Sequence, residues 1–63
     1  MNPIKKYRLA KNMTQQDLAD RLQINRSTIA QWETGGNIPR VDTLVQLAKI
    51  FKCKLDDLVY SKM

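Results

Sequence analysis

At 63 residues, with 11 Lys and Arg against 6 Asp and Glu and a net charge of +5, the chain has room for one small domain with one core, and its charge favours a polyanion such as DNA or an acidic membrane surface. The absence of His removes the commonest metal ligand and general base, and the single cysteine, Cys53, excludes an intrachain disulfide. No apolar run approaches the roughly 20 residues that span a bilayer, and the opening Met-Asn-Pro-Ile-Lys-Lys has no apolar stretch behind its charges, so a soluble intracellular protein is expected, with no metal, cofactor, membrane or small-molecule ligand.

Asn2 and Pro3 open the first predicted helix, of about residues 3–11, since Asn can cap free N–H groups and Pro is preset for a first turn. Ile4, Tyr7, Arg8 and Lys11 fall at i, i+3, i+4 and i+7, which puts a charge, Arg8, on the inner face, where it needs a partner. Asn12 tolerates left-handed backbone angles and stops this helix; Thr14 caps the second, of about 15–22, with Asp17 completing a variant of the capping box. Gln23-Ile24-Asn25 forms a turn, Asn25 caps a third helix of about 26–34, and Gly35-Gly36 ends it.

After a loop through Asn37, Ile38 and Pro39, the residues Val41, Leu44, Val45, Leu47, Ala48 and Phe51 mark an amphipathic fourth helix of about 41–51. Asp42 in its first turn and Lys49 and Lys52 near its end suit the helix dipole. Leu55, Leu58 and Val59 mark a fifth, short helix of about 55–60, with Asp56 and Asp57 near its start, and Ser61-Lys62-Met63 is expected to fray. No repeat, linker or low-complexity tract divides the chain, so residues 1–63 are read as one all-α domain of five short helices.

The segment 14–33 carries the most information, because its apolar spacing runs through the turn at 23–25 without losing phase, as in a helix-turn-helix. Leu18, Leu22, Ile24, Ile29 and Trp32 point inward, and Ala19 supplies a small side chain where two helices lie close. Trp32 shares the phase of Ile29, which assigns it to the core rather than to base stacking, and Cys53 reads as a small, buried, inert hydrophobe. The outward set of the third helix is Arg26, Ser27, Ala30 and Gln31, whose donors and acceptors suit base edges. No nucleophile-base pair, metal cluster or phosphate-cradling Gly loop is present, so the chain does not read as an enzyme.

With these residues placed, the chain resembles the Cro and lambda-repressor-like helix-turn-helix regulators, also called the XRE family. The resemblance runs from Ile4 to Val59 and is carried by Thr14-Gln-Gln-Asp-Leu-Ala19, Arg26-Ser-Thr-Ile-Ala-Gln-Trp-Glu33, the Gly after it, Pro39, Leu44-Val-Gln-Leu-Ala-Lys-Ile-Phe51 and Leu55-Asp-Asp-Leu58. It departs at Gln23, a position often occupied by Gly; positive φ there costs Gln roughly 1 kcal/mol relative to Gly.

The resemblance implies that the third helix enters the major groove of a two-fold operator in double-stranded DNA, with the protein acting as a dimer. By matching positions, Arg26, Ser27 and Gln31 face base edges with Asn25 and Ala30 beside them: Arg26 toward a guanine, Gln31 toward an adenine, the Ala30 methyl toward a thymine methyl. Thr14, Gln15 and Gln16 are placed to hold a phosphate at the start of the second helix, and Thr28, Asn37 and Arg40 flank the groove on the other side. It also implies an Arg8–Glu33 salt bridge that fixes the angle of the third helix.

The function expected is that of a transcriptional regulator, more specifically a repressor, since occupancy of an operator can exclude polymerase. Because one small domain reads few bases, a homodimer is expected, through Leu55, Leu58, Val59 and Tyr60, with its recognition helices about 34 Å apart. An antitoxin that regulates its own operon and binds a toxin, and an interaction module that has lost DNA binding, are the alternatives. A cytoplasmic, nucleoid-associated protein is expected, and a phage, plasmid or bacterial chromosome would all fit as its origin.

Overall fold

A computed structural model describes residues 3–58, which form helices α1 (Pro3–Ala10), α2 (Gln15–Leu22), α3 (Arg26–Thr34) and α4 (Val41–Phe51), followed by a single 3-10 turn at Leu55–Leu58. The all-α expectation holds, but among the described residues the α-helices number four, not five. The segment expected as a fifth helix instead takes a 3-10 conformation over Leu55–Leu58, entered where the Asp57 N–H donates to the Lys54 carbonyl at 3.0 Å and the Asp57 carboxylate accepts from the Lys54 N–H at 3.1 Å. At three residues per turn Leu55 and Leu58 stack on one side, and Leu58 is driven fully into the core while Leu55 stays 37% exposed. The proposed cap Asn2, the dimer residues Val59 and Tyr60, and the tail 61–63 lie outside the described residues.

All four helices end in the same way. A residue with positive φ follows the last turn (Asn12 at 57°, Gln23 at 60°, Gly35 at 89°, Lys52 at 56°). The N–H of the next residue then reaches back to a carbonyl five positions earlier: Met13 to Arg8 and Ile24 to Ala19 at 3.0 Å, Gly36 to Gln31 at 2.8 Å, Cys53 to Ala48 at 3.0 Å. This is the Schellman arrangement, which satisfies carbonyls that a helix end would otherwise leave open. Asn12 and Gly35 act as the sequence predicted, α1 stopping at Ala10 with the exposed Lys11 already in the turn. Gln23 does adopt the strained conformation. At three of the four ends the residue after the left-handed one, Met13, Ile24 or Cys53, packs against the core; Cys53 is thus half-buried and not sealed inside as expected.

The start of α2 follows expectation. The Asp17 N–H donates to Thr14 Oγ1 and the Thr14 N–H donates to the Asp17 carboxylate, both at 2.9 Å, and these bonds hold the exposed Asp17 carboxyl below its ordinary pKa, the backbone donor contributing most. Asn25 stands at the cap position of α3, but its side chain makes no capping bond. The Thr28 N–H, which a capping side chain would take, donates instead to the Asn25 carbonyl at 3.1 Å.

The core is built from Ile4, Leu18, Ala19, Ile29, Trp32, Leu44, Leu47, Ala48, Phe51 and Leu58. Removing a side chain such as Ile4, Leu18 or Ile29 from water is worth about 1.5–3 kcal/mol. The Tyr7 ring stacks on Phe51 with centroids 5.8 Å apart and so ties α1 to α4. Ala19 is fully buried, as the close approach of α2 and α3 requires. Two of the apolar residues assigned to α4 face outward: Val41 is 70% exposed at the first position of the helix, and Val45 lies off the Leu44, Leu47, Ala48, Phe51 stripe.

Candidate nucleic-acid interface

Helix α3 is amphipathic in an unequal way. Ile29 and Trp32 bury its inner side, and Asn25, Arg26, Ser27 and Gln31 are exposed on the other, with Ala30 and Thr28 half-buried at its margins. The remaining inner residue is Glu33, whose side chain is only 4% exposed and so cannot keep its charge without compensation.

That compensation comes from α1. Arg8 Nε donates to Glu33 Oε2 at 2.6 Å and Nη2 to Glu33 Oε1 at 3.1 Å, a two-point pairing of planar groups. The third nitrogen, Nη1, donates to the Met13 carbonyl at 2.7 Å, immediately before α2 begins. One guanidinium, itself 8% exposed, thereby fixes α1, the approach to α2 and the inner face of α3 against one another. Burial pushes the Glu33 carboxyl up, but the bonds from Arg8 and Gln15, with the charges of Arg8 and Lys5, outweigh it and hold its pKa below the usual value.

The buried pair continues outward to the exposed face. Gln15, half-buried at the first position of α2, donates through Nε2 to Glu33 Oε1 at 3.1 Å. A carboxylate only accepts, so the Gln15 amide must turn its N–H₂ inward and its carbonyl outward. That carbonyl accepts from Arg26 Nη1 at 3.2 Å. The order Arg8, Glu33, Gln15, Arg26 alternates donor and acceptor without conflict and links the interior to the first residue of α3.

At the other end of α3, Asn37 Nδ2 donates to Gln31 Oε1. Gln16 is exposed and donates along its own helix to Asp20 Oδ1 at 2.8 Å, and Arg40, also exposed, stands at the cap position of α4. The structure thus joins Gln15 to Arg26 and Asn37 to Gln31. Neither contact was foreseen from the sequence: the partners are 11 and 6 positions apart, and only the turns at Gln23 and Gly35 bring them together. Among the described residues no group of three or more acidic, Cys or His side chains is placed to hold a metal, and no helix is long and apolar enough to cross a membrane.

Comparison with known proteins matches residues 4–58 to the helix-turn-helix family model. The chain belongs to that family. It is a regulator of the DNA-binding, non-enzymatic kind, as the Cro-like resemblance implied. An uncharacterized HTH-type transcriptional regulator of Methanocaldococcus jannaschii is 39% identical over 57 residues, which cover 90% of this chain and 86% of that protein. A second such regulator, from Archaeoglobus fulgidus, is 36% identical over 55 residues, 87% of this chain and 78% of its own length. The HTH-type transcriptional activator BcrR of Enterococcus faecalis is 34% identical over 56 residues, which make up 89% of this chain but only 28% of that protein. No solved structure gives a significant match.

Proposed function

We propose that the chain is a sequence-specific regulator that inserts α3 into the major groove of an operator, reading bases with Arg26, Ser27 and Gln31, with Asn25 and Ala30 beside them. The observation that carries this reading is the division of α3, whose inner side is locked by Ile29, Trp32 and the Glu33–Arg8 pair while its exposed side is left to hydrogen-bonding groups. Thr14, Gln15 and Gln16 at the start of α2, and Thr28, Asn37 and Arg40 around α3, are the groups assigned to the flanking phosphates. The activator name of the Enterococcus relative describes a much longer protein; occupancy of the operator is sufficient for repression, and that is the mode proposed here.

A homodimer completes the reading. The described residues span 30 × 24 × 21 Å, so one protomer cannot present two recognition helices about 34 Å apart on one face of DNA. Of the residues expected at the dimer contact, Leu58 is fully buried within its own protomer and drops out, because the core needs it; Leu55 is exposed.

Selection of bound sequences from a random DNA pool, followed by a salt titration on the winner, tests the proposal. A two-fold site that binds less tightly as salt rises, and that loses its preference at one base of each half in Gln31→Ala, is the expected result. No enrichment over random DNA would overturn it in favour of a protein-interaction module.

A further inference from the structure

The end of α3 differs from the other three helix ends. Where Met13, Ile24 and Cys53 anchor those turns in the core, the corresponding residue after α3 is Gly36, which has no side chain to anchor. The left-handed Gly35 folds the chain back, and Asn37, two residues on, returns to the level of Gln31. Asn37 holds Gln31 twice: its backbone N–H donates to the Gln31 carbonyl at 3.4 Å, and its side-chain Nδ2 donates to Gln31 Oε1. The Gly36 N–H at 2.8 Å and Thr34 Oγ1 at 3.2 Å reach the same backbone carbonyl, so the turn carrying Asn37 is itself tied to this one residue.

From this geometry we propose that Asn37 is a positioning residue that decides which atoms Gln31 shows to DNA, making it a hydrogen-bond donor. The inference rests on the operator-binding reading above. A primary amide is two-faced: its oxygen accepts and its nitrogen donates. With Oε1 turned to Asn37, the group that Gln31 presents to the groove is Nε2, with its hydrogens. Major-groove acceptors are N7 and O6 of guanine, N7 of adenine and O4 of thymine, whereas adenine N6 and cytosine N4 donate. The two-point grip of Gln on adenine uses both halves of the amide, so a Gln31 held by Asn37 keeps only the bond to N7 there and favours guanine, whose N7 and O6 both accept, over the adenine that an unheld glutamine takes. Specificity at this base is then set by a residue in the loop, outside the recognition helix.

The test uses the whole chain and has two arms. In the free protein, the side-chain amide of Gln31 followed by NMR is expected to be more ordered than that of Gln46, exposed on α4, and to lose this order in Asn37→Ala. Equal mobility of the two amides, or no change on substitution, overturns the proposal without reference to DNA. In random-pool selection, the wild type is expected to prefer guanine at the position whose preference disappears in Gln31→Ala. Asn37→Ala is expected to move that preference toward adenine. In Asn37→Asp an acceptor-only carboxylate draws the Gln31 N–H₂ inward and turns Oε1 outward, favouring adenine or cytosine by about tenfold. Selection in the wild type with the same base preference in both Asn37 variants overturns the role of Asn37 and leaves the operator reading intact. Absence of selection in the wild type overturns the operator reading, and the NMR arm still decides the contact.

Discussion

The two long side chains on the exposed face of α3, Arg26 and Gln31, are each tied to a residue outside the helix, and the ties lead to different places. Arg26 is bonded to Gln15, and through it to a carboxylate and guanidinium that are almost wholly buried. Gln31 is bonded to Asn37, in an exposed loop, by a contact between two neutral amides. The first tie leads on to the pair that packs three helices together, whereas the second leads only to the loop that follows α3. The fold thus couples one reading residue to its stability and leaves the other open to retuning.

The largest effect that can break this comparison is expected at the buried end. Glu33→Ala or Arg8→Ala strands a charge and is expected to destabilise the domain by about 3–5 kcal/mol, a large share of the roughly 5–15 kcal/mol that holds an ordinary domain together. Thermal unfolding checks this; an unchanged midpoint would sink the claim that the pair fixes α3. Asn37→Ala, in contrast, is expected to shift stability by no more than about 0.5 kcal/mol, the range of surface substitutions.

Acidity provides the next largest test. Because the Glu33 pKa is lowered on folding, its contribution is fully present above the unfolded value of about 4.3 and is lost as pH falls through the lower folded value. Unfolding midpoints are therefore expected to hold near neutrality, to start falling around pH 4 and to go on falling below it. Glu33→Gln should flatten that limb, while Asn37→Ala should retain its full steepness; a Glu33→Gln profile as steep as the wild type would assign the acid sensitivity to other carboxyls.

Gln15→Ala separates placement from orientation. It removes one hydrogen bond to the buried carboxylate, a loss of roughly 1–2 kcal/mol, and releases Arg26. Discrimination at the base read by Arg26 is expected to weaken more than the melting midpoint implies, measured by selection beside calorimetry. If the two fall in step, the Gln15 to Arg26 contact has no role of its own.

The smallest effects concern the helix ends. Gly35→Ala forces a Cβ into the left-handed region and is expected to cost about 1 kcal/mol, although no atom beyond the two neighbouring residues lies within 4 Å of the added carbon. Gln23→Gly at the equivalent place after α2 should return up to about the same amount. Denaturant midpoints would resolve both, and a stabilising Gly35→Ala would contradict the backbone account.

Much of the fold was legible because it depends on short-range chemistry. The Thr14–Asp17 box, the stops at Asn12 and Gly35, and the Leu44, Leu47, Ala48, Phe51 stripe each declare themselves within a few residues. The fifth helix was misread because Leu55 and Leu58, three apart, fit an α-helical turn and a 3-10 turn equally well, and four residues give no further period to choose between them. Val41 and Val45 mark the fourth helix correctly yet face outward, because hydrophobicity marks a helix without saying which residues meet the rest of the protein. In the candidate site, the Arg8–Glu33 pairing came from the family resemblance, since residues 25 positions apart leave no periodic trace. The links from Gln15 to Arg26 and from Asn37 to Gln31 depend on which half of an amide faces which neighbour, a matter of rotamers that spacing does not encode.

The one tryptophan of the chain, Trp32, lies between Gln31 and Glu33 with only 6% of its surface exposed, on the side of α3 turned away from the proposed groove. It is therefore an optical reporter built into the reading helix yet shielded from what the helix reads. Its emission should respond when α3 leaves its seat and remain nearly constant when DNA arrives, so that unfolding and occupancy can be followed in the same cuvette as separate signals.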